Sequence, residues 1–293
     1  MAAYYVKRAF EIIREEDPSS LLLAGIDKIK TPRYTYRHYP YYLRKKRYVL
    51  GRIEGYKAIP DPFNKLYTSP ESIRLCRSLG YPSVEEYWSQ GGYWTANSST
   101  FDKWADLGAV YGGDWDEKTL KFNQLPKYVG MKEHFISGIP WKETSLFDYY
   151  RQLLDRGYRI DGCESESELM DRYERIEEMC NEIQSSGYKE REEICDNGNL
   201  QCLMHEVPCN IGREGELIFC GNGFHRLSAA KIFDVDMIPI KIIVRHKQWQ
   251  KIRDNIYDNS LAKEHKDLRD HPDLQDILSE DQTEDLSNPS SRR

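Results

Sequence analysis

The stretch HEVPCNIGREGELIFCGNGFHRLSAAKIFDVDMIPIKIIV, residues His205–Val244, contains the clearest pattern of secondary structure in the chain. HEVPCNIG and LIFC are predicted to be partner strands, and REGE between them is typical of a tight turn. A helix is predicted from about Phe224 to Phe233. MIPIKIIV then alternates with a period of two, which predicts a further strand. A hairpin, a helix and a returning strand together indicate an α+β fold.

The turn Gly221-Asn222-Gly223 connects this hairpin to the helix. Such a turn leaves the first N–H groups of the helix without partners, and the helix dipole adds partial positive charge there, so the turn predicts a phosphate site. Arg226 is expected to contact the phosphate in a bidentate manner, and His225 to donate a hydrogen bond or to act as acid or base. Lys231 is expected to face solvent. A purely packing role for these residues is the alternative.

The run G-N-G-F-H-R-L-S-A-A-K followed by I-P-I-x-I-I-V resembles the ParB/sulfiredoxin-like superfamily over about Leu203 to Val244. DPFNKLYTSPESI, Asp61 to Ile73, is similar to an element near the start of such domains. The arrangement looks like a ParB N-terminal-domain-like group found in archaea and their viruses. The resemblance implies a nucleotide-binding core over 56–255 with a helical insertion at about 130–200. Helical flanks would comprise an N-terminal helix and arm at 1–55 and a C-terminal helix with a disordered tail at 256–293.

The resemblance implies nucleotide binding, with activity as a phosphotransferase or nucleotide hydrolase. Two positions depart from better-known members of the superfamily. Phe224 stands where sulfiredoxins have cysteine, and Asn222 stands where free-serine kinases have aspartate. Only about fifty residues of the given sequence follow Val244, which leaves little room for the helix-turn-helix domain of partition proteins. A DNA-associated partition or regulatory protein and a non-catalytic interaction module remain as alternatives.

Carboxylates elsewhere in the chain are candidates for catalysis and for metal binding. Glu71, Asp114 and Asp116 are the candidate catalytic carboxylates, in addition to His225. Mg²⁺ prefers a few carboxylates together with phosphate oxygens, so Asp114 and Asp116 are predicted Mg²⁺ ligands. The implied cofactors are a nucleoside triphosphate or diphosphate and Mg²⁺. Alternatively, Asp114 caps a turn and Trp115 packs into a core.

Two further residues are predicted to contact the nucleotide. Arg245 and His246 end the strand MIPIKIIV, where a cation and an imidazole could reach the ligand. The helices before the hairpin are expected to be scaffold. In ESELMDRYERIEEMCNEIQSSGY, apolar residues repeat at intervals of three and four, and Gly187 is a natural C-terminal cap.

Composition and charge limit the remaining function classes. The 293 residues carry a net charge of −6, which argues against a surface covered with nucleic acid. The segment Arg33 to Arg52 interleaves tyrosines with basic residues, so it is either a weak DNA-binding arm or an arm that packs its tyrosines on the body. The sequence shows no apolar run that could span a membrane, which together with its charged start predicts a cytoplasmic protein.

Seven cysteines are scattered through the chain. Cys195, Cys202, His205 and Cys209 could supply four zinc ligands, but their spacing matches no common zinc motif. Buried thiols are therefore the favoured interpretation.

Overall fold

The computed structural model describes residues 50–51, 54–61, 64–77, 106–194, 206–259 and 267–278 of the chain. Three of the regions discussed above lie wholly or mostly outside these ranges. They are the basic segment Arg33 to Arg52, three of the four proposed zinc ligands, and the tail beyond residue 278. The strands are β1 Leu66–Thr68, β2 Leu75–Arg77, β3 Ala109–Tyr111, β4 Thr119–Lys121, β5 Val207–Ile211, β6 Leu217–Phe219 and β7 Ile238–His246. The helices are α1 Pro126–Phe135, α2 Ser145–Asp155, α3 Glu166–Ser186, α4 Arg191–Ile194, α5 Phe224–Ile232 and α6 Lys247–Asn259. Short 3₁₀ turns occupy Pro70–Ser72, Phe122–Gln124, Trp141–Glu143 and Pro272–Leu274.

The strands of the described residues form one mixed seven-stranded sheet in the order β1-β7-β5-β6-β2-β4, with β3 also paired to β7. β5 and β6 form the predicted antiparallel hairpin, and β7 returns parallel to β5 after helix α5. The α+β class is therefore confirmed. The parallel return through a helix brings the loop after β6 to one end of the sheet, where α5 begins.

An irregularity in β7 determines where its last residues point. Cys209 of β5 pairs with Ile242 of β7, but Ile211 pairs with Arg245, so β7 contains one extra residue between these two pairs. A shift of one residue moves the following side chains to the other face of a sheet. Arg245 consequently shares the face of Ile211, which belongs to the main hydrophobic core.

The predicted helical insertion forms a second core. Residues of α3 at the predicted spacing are buried, and Gly187 ends the helix with a φ of 83°. The buried α3 residues are Leu169, Tyr173, Ile176, Cys180 and Ile183. Helix α5 lies between the two cores, because Leu227 and Ala230 pack into the first and Ala229 and Ile232 into the second.

The double packing of α5 explains one wrong prediction, that Lys231 faces solvent. Its side chain is only 5% exposed, and its Nζ lies 3.7 Å from the Glu71 carboxylate. The ammonium also lies 5.5 Å from the centre of the Phe122 ring. Burial lowers the pKa of Lys231, although the nearby Glu71 favours the charged form.

The core continues past residue 255, beyond the domain boundary that the sequence suggested. Ile256 of α6 and Leu274 both belong to the main hydrophobic core. Next to Leu274, the buried carboxylate of Asp273 accepts hydrogen bonds from the guanidinium of Arg245, at 2.5 to 3.1 Å. The segment 267–278 is thus an integral part of the domain.

Candidate functional site

Gly223 is the N-cap of helix α5, directly before its first residue Phe224, and has the left-handed angles φ 89° and ψ 13°. A Cβ atom there would meet Val207 only at ordinary contact distances, so the backbone angle rather than space favours glycine. The first intrahelical bond runs from the N–H of Leu227 to the carbonyl oxygen of Gly223. No side chain among the described residues caps this helix start. The N–H groups of the first turn are therefore available to an anion.

The start of α5 opens onto a cavity of about 190 Å³. Of the predicted site residues, Gly221, Asn222, Gly223 and His225 line this cavity together. Leu125, Pro126 and Phe224 contribute apolar wall. The sequence-based prediction that the glycine turn and His225 share one site is thus supported by their positions.

The helical insertion contributes three charged residues to the same cavity, and the sequence analysis missed all of them. They are Lys127 at the start of α1, Asp161 in the turn between α2 and α3, and Arg172 on α3. They lie far from the glycine turn in sequence and in no recognisable motif. The sequence feature that points to a turn in this region is the pair Asp161-Gly162. In the structure Asp161 has a φ of 51°, as residues in tight turns often do.

These three residues place two positive charges around one negative charge. Nζ of Lys127 donates to both carboxylate oxygens of Asp161 at 2.7 Å. Nε of Arg172 lies 3.9 Å from Asp161 and has no hydrogen-bond partner among the described residues. Burial alone would raise the pKa of Asp161, but Lys127, His225 and Arg172 hold it below its ordinary value. The cavity therefore carries one surplus positive charge beside a helix N-terminus.

His225 faces this group without a partner. Its Nε2 is shielded from solvent and finds no hydrogen-bond partner within the described residues. Burial, reinforced by the charges of Lys127 and Arg172, lowers the pKa of His225 to about 3, although Asp161 acts in the opposite direction. The imidazole is thus neutral near neutral pH, and it can donate or accept a hydrogen bond or take up a proton.

Arg226 does not take part in this site as predicted. It is not among the described residues that line the cavity. Its guanidinium is buried, lies 3.5 Å from the Glu206 carboxylate, donates to the carbonyl oxygen of Lys189 and stacks on the Tyr188 ring at 4.4 Å. Successive residues of a helix point in directions about 100° apart, so His225 and Arg226 face different surroundings. Arg226 thus connects Tyr188 and Lys189, at the end of the insertion, with Glu206, which directly precedes strand β5.

Asp114 and Asp116 are engaged by an arginine rather than arranged for Mg²⁺. Nε and Nη2 of Arg213 donate to Asp116 at 2.9 and 2.7 Å, and Nη2 also donates to Asp114 at 3.0 Å. No group of three or more potential metal ligands occurs in the part of the chain that the structure describes. Burial would raise the pKa of Asp116, but its hydrogen bonds with Arg213 and the nearby His246 lower it. In the described structure the predicted Mg²⁺ ligands instead pair with Arg213 and so hold the 112–116 loop against the β5–β6 turn, and their role toward Mg²⁺ stays a prediction.

The remaining predicted residues also lie elsewhere. His246 donates from Nε2 to the carbonyl oxygen of Gly113 at 2.8 Å, in the same loop. Glu71 is exposed and pairs with Lys231. The described residues that line the cavity include none of Glu71, Asp114, Asp116, Arg245 and His246.

A first expected result concerns the predicted metal ligands. Asp116→Asn should lower the free energy of unfolding by about 1.5–3 kcal/mol, because it removes charge-assisted hydrogen bonds with Arg213 from a nearly buried carboxylate. Asp114→Asn is the matched control, since that side chain is 71% exposed and its pair contributes little. Urea unfolding with and without Mg²⁺ measures both effects. Mg²⁺-dependent stabilisation of the parent that disappears in Asp116→Asn would restore the metal role.

The cysteines in the described ranges are buried. They are Cys76, Cys163, Cys180, Cys209 and Cys220. Cys209, one of the four proposed zinc ligands, belongs to the main core, and burial raises the pKa of its thiol well above the ordinary value. These surroundings favour the neutral thiol over a zinc-bound thiolate.

Comparison of the chain with protein families, curated proteins and solved structures gives no match. None of the helices in the described part of the chain has the length and apolar character needed to cross a bilayer. The inference of function accordingly rests on the geometry of the cavity at the start of α5.

Proposed function

We propose that this protein binds the phosphate end of a nucleotide in the cavity at the start of α5. The observation that carries the proposal is the conjunction of an uncapped helix start with two cations, Lys127 and Arg172, around the single carboxylate of Asp161 among the described cavity residues. Backbone N–H groups and a surplus of positive charge are the features that recognise phosphate in proteins. The resemblance to the ParB/sulfiredoxin-like superfamily favours a nucleotide as the bearer of that phosphate.

The size of the cavity suits a phosphate group better than a whole nucleotide. The cavity has a volume of about 190 Å³. Pockets that enclose drug-sized ligands usually measure about 300–1,000 Å³. The phosphate end would therefore enter the cavity, and the rest of the nucleotide would lie outside it.

The chemistry available in the cavity is limited to proton transfer and charge stabilisation. His225 is neutral and has a buried, unpaired nitrogen in the described structure, so it can accept or donate a proton. Asp161 is held by Lys127 and is a weak candidate for a base. Binding is thus the primary function proposed, and phosphotransfer or hydrolysis would depend on His225.

A thermal-unfolding panel tests the proposal. Inorganic phosphate, pyrophosphate, ATP, ADP, CTP and GTP are each added with and without Mg²⁺. A ligand at a hundred times its Kd stabilises the folded state by about 2.7 kcal/mol, which for a chain of this size raises Tm by roughly 4 °C. Nucleosides without phosphate, and potassium chloride at equal ionic strength, are the controls. Equal shifts with nucleosides and nucleotides, or none with any phosphate, would contradict the proposal.

A further inference from the structure

His225 is surrounded by the groups that decide its protonation. Lys127 faces it from α1, Asp161 from the turn between α2 and α3, and Arg172 from α3. The Tyr173 ring of α3 packs against the imidazole at 5.8 Å, with its own hydroxyl 3.1 Å from the Tyr150 hydroxyl. Phe224, the preceding residue of α5, contributes an apolar wall of the same cavity. Within the described structure, Nε2 has no polar neighbour at hydrogen-bond distance, and His225 is one of the residues that line the cavity.

The charges in the cavity are insufficient for a phosphate dianion. Lys127 and Arg172 with Asp161 leave one positive charge, and the helix start adds about half a charge. A terminal phosphate carries about −1.5 to −2 charges near neutral pH. An uncompensated charge in a partly buried site is costly. A proton on Nε2 would remove the deficit and would supply a donor toward a phosphate oxygen.

The geometry points to a site that takes up a terminal phosphate dianion together with one proton, which is placed on Nε2 of His225. This inference rests on the proposed function, because it deepens the same site. The ligand class is a phosphomonoester or another dianion with the same tetrahedral oxygens. A monoanionic diester already matches the surplus charge and binds without a proton. The buffer or solvent gives up the proton and Nε2 gains an N–H bond, and no bond of the ligand is formed or broken.

Calorimetric titration with sulfate tests the inference directly. Sulfate stays dianionic between about pH 5 and 8, where histidine ordinarily titrates, so any proton taken up belongs to the protein. Titrations at one pH in two buffers of different ionisation enthalpy give the number of protons. We expect close to one proton per sulfate, and a Kd that tightens by about tenfold for each unit of falling pH. Dimethyl phosphate, a monoanion, should show no proton uptake.

His225→Gln identifies the group that takes the proton. The variant should bind sulfate more weakly, without proton uptake and with a flat pH dependence. As a second measurement, the ring signals of His225 in the unaltered chain should change from neutral to protonated imidazole as sulfate saturates the site. If the variant does not fold, these ring signals decide the matter.

The outcomes separate the two proposals. Sulfate binding without proton uptake, or with His225 remaining neutral, would overturn the proton inference and leave phosphate binding intact. Proton uptake that persists in His225→Gln would assign it to another group and equally overturn the inference. Failure of both sulfate and phosphate to bind would overturn both proposals.

Discussion

Replacing Asp273 with alanine should lower the free energy of unfolding by about 3–5 kcal/mol, the usual cost of removing one partner of a buried ion pair. The carboxylate is 1% exposed and binds the guanidinium of Arg245. It also accepts a hydrogen bond from Nε1 of Trp249 at 2.9 Å and lies 3.3 Å from Nη1 of Arg253. Its loss leaves the buried guanidinium of Arg245 without its ion-pair partner and leaves Arg253 paired only with Asp276, which is the physical reason for the large effect.

Urea unfolding measures this change, and Asp270→Ala is the matched control on the same segment because Asp270 is exposed. Burial would raise the pKa of Asp273, but Arg245 and Arg253 hold it well below its ordinary value of 3.8. The contribution of Asp273 is therefore fully present above about pH 4 and is lost as pH falls through the lower folded value. A loss below 1 kcal/mol, or equal to that of the control, would show that the C-terminal segment is not part of the core.

Replacing Lys127 or Arg172 with glutamine should weaken phosphate binding by roughly 10- to 150-fold in each case. Each hydrogen bond to a charged group is worth about 1.5–3 kcal/mol, and 1.4 kcal/mol corresponds to tenfold in Kd. Both side chains line the cavity at the start of α5. Lys132→Gln on α1 and Arg175→Gln on α3 are matched controls, since both are exposed residues of the same helices.

Calorimetric titration with pyrophosphate compares the four variants with the parent chain. Because Lys127 and Arg172 share Asp161 and the same ligand, the double replacement should not be additive. Circular dichroism confirms that each variant is folded at the titration temperature. Affinity that falls equally in the control variants would point to general electrostatic attraction instead of a defined site.

Much of the fold around the site follows from local sequence patterns. The intervals of three and four in α3 report which face of that helix is buried. The alternation in β7 predicted the strand but not its burial, since all nine residues of β7 are buried on both faces. The left-handed angle at Gly223 explains why a glycine precedes α5. The direction of the Arg245 side chain was not predicted. The extra residue in β7 moves this side chain to the other face of the sheet, and the regular alternation of the sequence does not reveal such a bulge.

The site itself was only half predictable. The glycine turn and His225 form one continuous segment, so their proximity follows from chain connectivity. Lys127 and Arg172 reach the cavity only because the insertion packs against α5, a tertiary contact that no short motif records. The same limitation applies to Asp116, whose partner Arg213 lies 97 residues away.

The central claim is that phosphate binds at the first turn of α5. Titration of ¹⁵N-labelled protein with inorganic phosphate, followed by amide NMR, tests it residue by residue, with chloride at equal ionic strength as the control. The account predicts saturable shifts for the amides of Phe224, His225 and Arg226, because these N–H groups begin an uncapped helix among the described residues. Saturable shifts confined to other parts of the chain, or shifts that chloride reproduces, would contradict it.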